Sequence, residues 1–337
     1  MSTELVHLTA SLSSAGFDPA GRRTGNLAAS SIGRRYQAMA RAAERAGLDA
    51  VWLGQDEALP IDALPLLGSL IAVTERIGLG GRWRIEHAEP FHVARVFATL
   101  DHLASGRTAL LVGLPGEGPG AAQFGHVTPL AADEALDRAG ELLEVARLLW
   151  DSWEDEGLLL DVGSGRFADP ERVHPIEHKG RHFSVRGPLN LPRPPQGNPV
   201  MAFEVGEDAR AEDLAMREAD VLLLSASSKE AAGRVRGLAR ASQRVLVNLM
   251  PILDGGSGDG SGSGVMRFVG TAAGLRELCA EWVGAGVCDG FNLMPAVLPD
   301  DLEGVLAAVA PLARAVPAGA TLRERLGLAR PRSRFSR

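Results

Sequence analysis

Three adjacent residues, Arg82, Trp83 and Arg84, concentrate chemical potential in one short stretch of the chain. Two guanidinium groups beside an indole can grip an anionic or aromatic ligand. They can equally pair with Glu86 and Glu89 just downstream. His92 opens the next amphipathic segment directly after a strand end. An imidazole there can act as a general base or hydrogen-bond donor, or serve only to cap and pack. Asp56 and Asp62 follow an apolar run and can orient a ligand, although Asp62 also stands where a helix cap belongs. Three of the eight histidines, His174, His178 and His182, cluster in HPIEHKGRH. Their irregular spacing in an exposed hairpin argues for structure rather than a metal site.

Several generic signatures are absent. GLPGEGPG, from Gly113 to Gly120, is rich in glycine, but Pro115 and Pro119 remove amides that a phosphate cradle would use. GLGGR, from Gly78 to Arg82, does not open a helix and so is not a dinucleotide fingerprint. Neither a GxSxG elbow nor an HExxH helix occurs. Cys279 and Cys288 lack metal-ligand spacing and make no disulfide framework.

The elements that must position these residues follow one pattern. Short apolar runs alternate with longer amphipathic stretches. LVHLTASL, LDAVWLG, IGLGGRWRI, TALLVGL, VMAFEVG, DVLLLSA, RVLVNLMPIL and DGFNLMPAV read as strands. Helices are expected over residues 32–47, 62–78, 89–106, 129–155, 211–219, 229–241, 272–285 and 299–315. Strands that are almost wholly apolar imply a parallel sheet covered on both faces. Eight of them in about 300 residues fit an α/β fold of the closed (β/α)8 TIM-barrel type, with the open doubly wound sheet as rival. One barrel domain over 1–329 is expected. Residues 156–198 form an insertion containing a hairpin, residues 254–264 a flexible Gly/Ser linker, and residues 330–337 a basic, frayed tail.

Composition narrows the classes. The 337 residues are 45% hydrophobic and 23% charged, with net charge −7. Without a basic excess, nucleic-acid binding is disfavoured. No apolar run reaches the ~20 residues that cross a bilayer. No secretory signal is visible, so a reducing cytoplasmic location is expected.

Four segments together resemble the bacterial luciferase-like flavin-dependent monooxygenases. They are PFHVARVFATLDHLASGR, LLEVARLLWDSWEDE, RVHPIEHKGRHFSVRGPLNLPRPPQGNPV and DGFNLMPAVLPDDLEGVLAAVAPLA. The resemblance is to the group containing nitrilotriacetate monooxygenase component A and dibenzothiophene-sulfone monooxygenase. TLRERLGLARP extends it to about Pro331.

The family implies FMN at the C-terminal ends of the barrel strands. It also implies a separate NADH:flavin reductase, O2 and a small organic substrate as partners, and a homodimer. Carried over residue by residue, its polar flavin contacts after the fourth strand fall on Leu111, Leu114 and Pro115. The Arg-Tyr pair opening the next long helix falls on Ala135 and Leu136, and the Thr/Ser-rich end of the third strand on Arg82, Trp83 and Arg84. The phosphate-binding Ser-x-x-Gly falls on Asp208 and Ala211, leaving Gly206 and the amides after it as remaining phosphate contacts. The Pro-Tyr-His signature stands as Pro90, Phe91 and His92. Three readings follow: an FMN-dependent monooxygenase with a remodelled pocket, a barrel that has lost FMN and serves as a partner subunit or binding protein, or a deazaflavin-dependent oxidoreductase.

Overall fold

The computed structural model describes residues 6–18, 31–54, 61–114, 130–207, 213–253, 265–315 and 317–336. The expectations for Asp56, Asp208, Ala211, Pro115 and the 254–264 linker lie outside these residues.

Eight parallel strands close into a ring. They are β1 (His7–Leu12), β2 (Ala50–Leu53), β3 (Gly78–Arg84), β4 (Thr108–Gly113), β5 (Val200–Val205), β6 (Val221–Leu224), β7 (Arg244–Leu253) and β8 (Gly290–Leu293). Each pairs with the next, and β8 pairs back onto β1 through His7–Gly290 to Ala10–Leu293. The closed barrel prevails over the open sheet because β8 finds β1 rather than an edge. A further parallel strand, Met266–Gly270, lies against the outer half of β7; its alternating pattern was not read from the sequence.

The helices cover the ring in sequence order: α1 (Ile32–Arg45), α2 (Ala63–Ile71), α3 (Pro90–Leu103), α4 (Ala132–Asp151), α5 (Asp213–Glu218), α6 (Lys229–Leu238), α7 (Ala272–Gly284) and α8 (Leu302–Val309). Most are shorter than expected from periodicity, as helix ends are poorly marked in alanine-rich sequence. Ala50, Trp52, Ala109, Leu111, Ala202 and Leu223 fill the ring's interior with neighbours from the same strands. The other strand faces pack outward on the helices. This two-sided burial is why the strands are nearly continuous in apolar residues. A short helix, α9 (Leu322–Arg325), closes the N-terminal end of the ring, with Leu322 and Leu326 joining the interior cluster. A capping box between Thr321 and Glu324 fixes its start.

The insertion carries two hairpins, Leu158–Asp161 with Arg166–Ala168 and His178–Lys179 with Ser184–Val185. Its three histidines are each bound to a carboxylate: His174 to Glu154 at 2.8 Å, His178 to Glu141 at 2.9 Å and His182 to Asp137 at 3.1 Å. Glu141 and Asp137 lie on α4, so histidines in the insertion staple it to that helix. The tail is docked rather than frayed. Arg330 binds Asp155 at 2.5 and 2.7 Å, Ser333 donates to the Asp151 carbonyl at 2.8 Å, and Phe335 stacks on His174. Acidic residues after α4 provide the landing site that composition alone did not reveal.

Burial pushes the Glu141 carboxyl up, but hydrogen bonds from His178 and the amides of His182 and Phe183 outweigh it and hold the group below its ordinary range. The stabilisation from a depressed carboxylate is complete above the unfolded pKa and is lost as pH falls through the folded one. Amide-exchange protection at residues 178–185 is therefore expected to hold from pH 7 to 5 and to drop below the ordinary carboxylate range. In Glu141→Ala the loss should already be present at pH 7.

Candidate functional site

Barrel chemistry gathers where the strands end, because the loops there can vary without disturbing the ring. Side chains alternate along β3. Trp83 turns outward, its ring 6.1 Å from Phe97 of α3. Arg82 instead forms an ion pair with Glu204 of β5. Between these strands lies β4, and Arg82 reaches across it because position 113 has no side chain. A Cβ on Gly113 would sit 3.2 Å from Arg82 Nε and 3.1 Å from Arg84 Cγ. Arg84 pairs with Glu86 at 3.2 Å, as the sequence allowed, whereas Glu89 belongs to Arg138 of α4 at 3.4 Å.

A rim cavity of about 330 Å³ is bounded by Gly54, Asp62, Leu64 and the Arg82–Trp83–Arg84 run. It brings together four residues singled out in the sequence. Asp62 also caps α2, accepting from the Leu64 amide at 3.0 Å. Across the mouth runs a polar arc that sequence reasoning missed. Thr9 donates to Asn292 Oδ1 at 3.0 Å, and Asn292 Nδ2 donates to Ser11 at 2.9 Å and to Asn248 Oδ1 at 2.8 Å. Asn248 in turn donates to Ser225 at 3.1 Å. Side chains of four consecutive strands, from Ser225 just past β6 through β7 and β8 to Thr9 within β1, are thereby joined. The available signal was one asparagine in each of two otherwise apolar strands, RVLVNLM and GFNL.

Trp52 forms the floor beneath Arg82. It is 0% exposed, and its Nε1–H has no acceptor among the described residues. Its benzo edge lies on Gly80, where a Cβ would be 2.1 Å from Cε3. Glycine at 80 is therefore a packing requirement of Trp52.

The remaining expected residues divide. Leu111 lies in the ring interior and Leu114 packs half-buried on the outer core, so neither presents a polar contact. Gly206 is half-buried at the end of β5. The neighbouring Glu207 is exposed and accepts from the Ser227 amide at 2.5 Å; hydrogen bonds from the Ser227 hydroxyl and then its amide hold the carboxyl below the ordinary range. Ser227 directly precedes Ser228, the N-cap of α6, so a carboxylate takes an amide where an anion would otherwise be welcome. His92 is exposed on the first turn of α3 with its ring edge-on to Phe91, and it is not gathered with Arg82, Arg84 or the polar arc. Pro90 at the helix start sets this direction. Among the described residues no group of three or more His, Cys, Asp or Glu is placed to hold a metal ion. Both cysteines are buried, and burial pushes their thiols up to about 12, so neither is a ready nucleophile.

Comparison with known proteins agrees with this geometry. A family model described as luciferase-like monooxygenase matches residues 14–253. The chain is 28% identical over 403 residues to N-acetyl-S-(2-succino)cysteine monooxygenase of Bacillus subtilis (strain 168), covering 90% of this chain and 91% of that protein. It is 35% identical over 302 residues to a subunit of pristinamycin IIA synthase of Streptomyces pristinaespiralis, covering 88% and 89%. Among solved structures, EDTA monooxygenase from Chelativorans sp. BNC1 superposes with a TM-score of 0.82 at 23% identity over 97% of this chain and 99% of that one.

Two substitutions test the mouth's construction. Asn292→Ala leaves Thr9 and Asn248 with unmet bonds and should cost about 1–3 kcal/mol for each group left unsatisfied. Gly80→Ala overpacks the floor and should cost roughly 1–3 kcal/mol. Urea denaturation checks both: the midpoint should fall while the slope stays constant.

Proposed function

The chain belongs to the luciferase-like monooxygenase family, and from that premise we propose that it is the oxygenase component of a two-component system. In this reading it uses reduced FMN delivered by a separate NADH:flavin reductase, together with O2, to oxygenate a small organic substrate. Bound reduced flavin supplies the electrons that activate O2.

The observation that carries the reading is the donor set at the mouth. A flavin ring is a flat apolar body with acceptors along one edge and, when reduced, negative charge there. Here the arc from Ser225 to Thr9 offers uncharged polar groups, Arg82 and Arg84, paired with Glu204 and Glu86, bring guanidinium donors, and the Trp52 N–H has no acceptor among the described residues. These residues fit such a ring. In our reading Arg82 and Arg84 hold the anionic edge or the substrate, and Asn248 and Asn292 orient the ring. Gly206 and the amides beside it meet the phosphate. Trp52, Leu111 and the apolar interior below them keep water from the reacting centre. Asp62 keeps α2 in place beside the rim cavity, where the substrate enters. His92 stands outside this assignment. The buried, unpaired cysteines are consistent with a reducing compartment such as the cytoplasm, and association of two copies is part of the proposal.

One observation favours a second reading. Glu207 already occupies the Ser227 amide, and its charge would repel a phosphate nearby. A relative of matching length is named as one subunit of a synthase. A barrel that supports a catalytic partner, without holding FMN itself, would have both features.

Anaerobic titration with FMN and reduced FMN, followed by flavin absorbance and fluorescence, separates the two. The oxygenase reading expects saturable binding, tighter for the reduced form. Arg82→Ala should weaken it at least tenfold, the equivalent of about 1.4 kcal/mol for a lost charge-assisted hydrogen bond. His92→Ala should leave it unchanged. No binding at high micromolar flavin would replace the oxygenase reading with the supporting-partner one.

A further inference from the structure

The charges at the two ends of the barrel are balanced differently. At the mouth, Arg82 and Arg84 are matched by Glu204 and Glu86. At the opposite end lies a larger cavity, of about 590 Å³, whose charged wall consists of Arg236, Arg244, Arg314 and Asp289. Asp289 is committed to Arg236 at 3.1 Å and to the Val245 amide at 2.8 Å. Arg244 donates only to backbone carbonyls, at 2.7 Å to both Leu326 and Gly327. Arg314 contacts the His7 imidazole, 2.7 Å from Nε2 and 3.4 Å from Nδ1. Among the described residues neither Arg244 nor Arg314 has a carboxylate partner. Two guanidinium groups therefore lack a carboxylate ion-pair partner in a protein whose net charge is −7.

Opposing charge is present but smaller. The C-terminal ends of α6 and α7 border the cavity, each with roughly half a negative charge. Asp49 lies behind His7, 2.9 Å from Nδ1, and is shared electrostatically with the buried Arg325. The His7 Nδ1–H donates to Asp49, and one Arg314 nitrogen rests against the imidazole ring, 2.7 Å from Nε2 and 3.4 Å from Nδ1. The imidazole thus supports one nitrogen of the guanidinium, and Arg314 lines the cavity. Two of the wall positions, Gly237 and Gly286, open onto empty space where a side chain would intrude.

We propose that this cavity is a second ligand site, distinct from the mouth, that takes a doubly charged oxyanion of the phosphate class through Arg314 and Arg244. Its volume exceeds that of a bare phosphate and lies in the range of small-molecule sites. A phosphomonoester therefore fits, with its organic part along Val283 and the glycine-lined wall. The inference does not rest on the flavin reading, because no residue is shared between the two ends.

Isothermal titration of the full chain with inorganic phosphate and with glycerol 3-phosphate, against sodium chloride at matched ionic strength, tests it. Saturable phosphate binding is expected, tighter for glycerol 3-phosphate if a phosphomonoester is the ligand and equal if free phosphate is. Arg314→Ala should weaken binding at least tenfold and Arg314→Lys less, with circular dichroism confirming that both variants are folded. Arg82→Ala should bind as the parent does. Phosphate heats no larger than those of chloride, or binding that survives Arg314→Ala, would overturn the proposal. Loss of binding in Arg82→Ala would move the anion to the mouth and overturn it equally.

Discussion

A ring of eight strands encloses a fixed volume, and whatever fills that volume decides what can happen above it. In this protein the decisive filler is the indole of Trp52, which needs the bare backbone of Gly80 beside it. One strand further on, Gly113 provides a second gap, and through it Arg82 reaches Glu204. Two absent side chains therefore set the floor of the mouth and the bridge across it. Packing at native density leaves little freedom to change either alone. The polar arc from Ser225 to Thr9 sits on the remaining strands, so one half of the site is charged and the other uncharged and polar. Such a division suits a ligand with one ionic and one neutral polar edge.

The insertion and the tail extend the same logic outward. Neither has a large apolar core of its own. Phe183 and Leu189 of the insertion join the main core, and ionic and polar contacts to α4 and the residues just after it add to this: histidines on Glu141, Asp137 and Glu154, and Arg330 on Asp155. Contacts of this kind are individually weak at an exposed surface. Their number along α4 and just beyond it gives the attachment its strength and makes it sensitive to acid. The barrel itself depends mainly on apolar burial.

Much of this was legible in the chain. Eight apolar runs separated by amphipathic stretches state a parallel, two-sided sheet, and family motifs such as LDHLASGR and GPLNLPRPPQGNPV agree with it. Arg82, Trp83, Arg84 and Asp62 were recognisable because charged or aromatic residues at or beyond the C-terminal end of an otherwise apolar strand stand out. The rest was hidden for physical reasons. Asn248 and Asn292 each look like an isolated polar residue in a strand, and only ring closure shows that they meet. Glu204 ends an apolar strand, and its partner lies 122 positions away. His92 followed a strand end as a site residue should, but the turn into α3 carried it to solvent. The docking of the tail depended on Asp151 and Asp155, which read as the ordinary end of a helix.

The plug formed by α9 has a consequence for how the molecule comes into being. Leu322 and Leu326 close the ring from below, yet they follow every strand in the chain. During synthesis β1 must wait for β8, and the interior stays open until α9 has emerged. Until then the inward faces of the strands are accessible to other chains. The nascent barrel thus has a long interval in which it depends on shielding by the ribosome or by chaperones, and shortening the chain by its last turn of helix would extend that interval indefinitely.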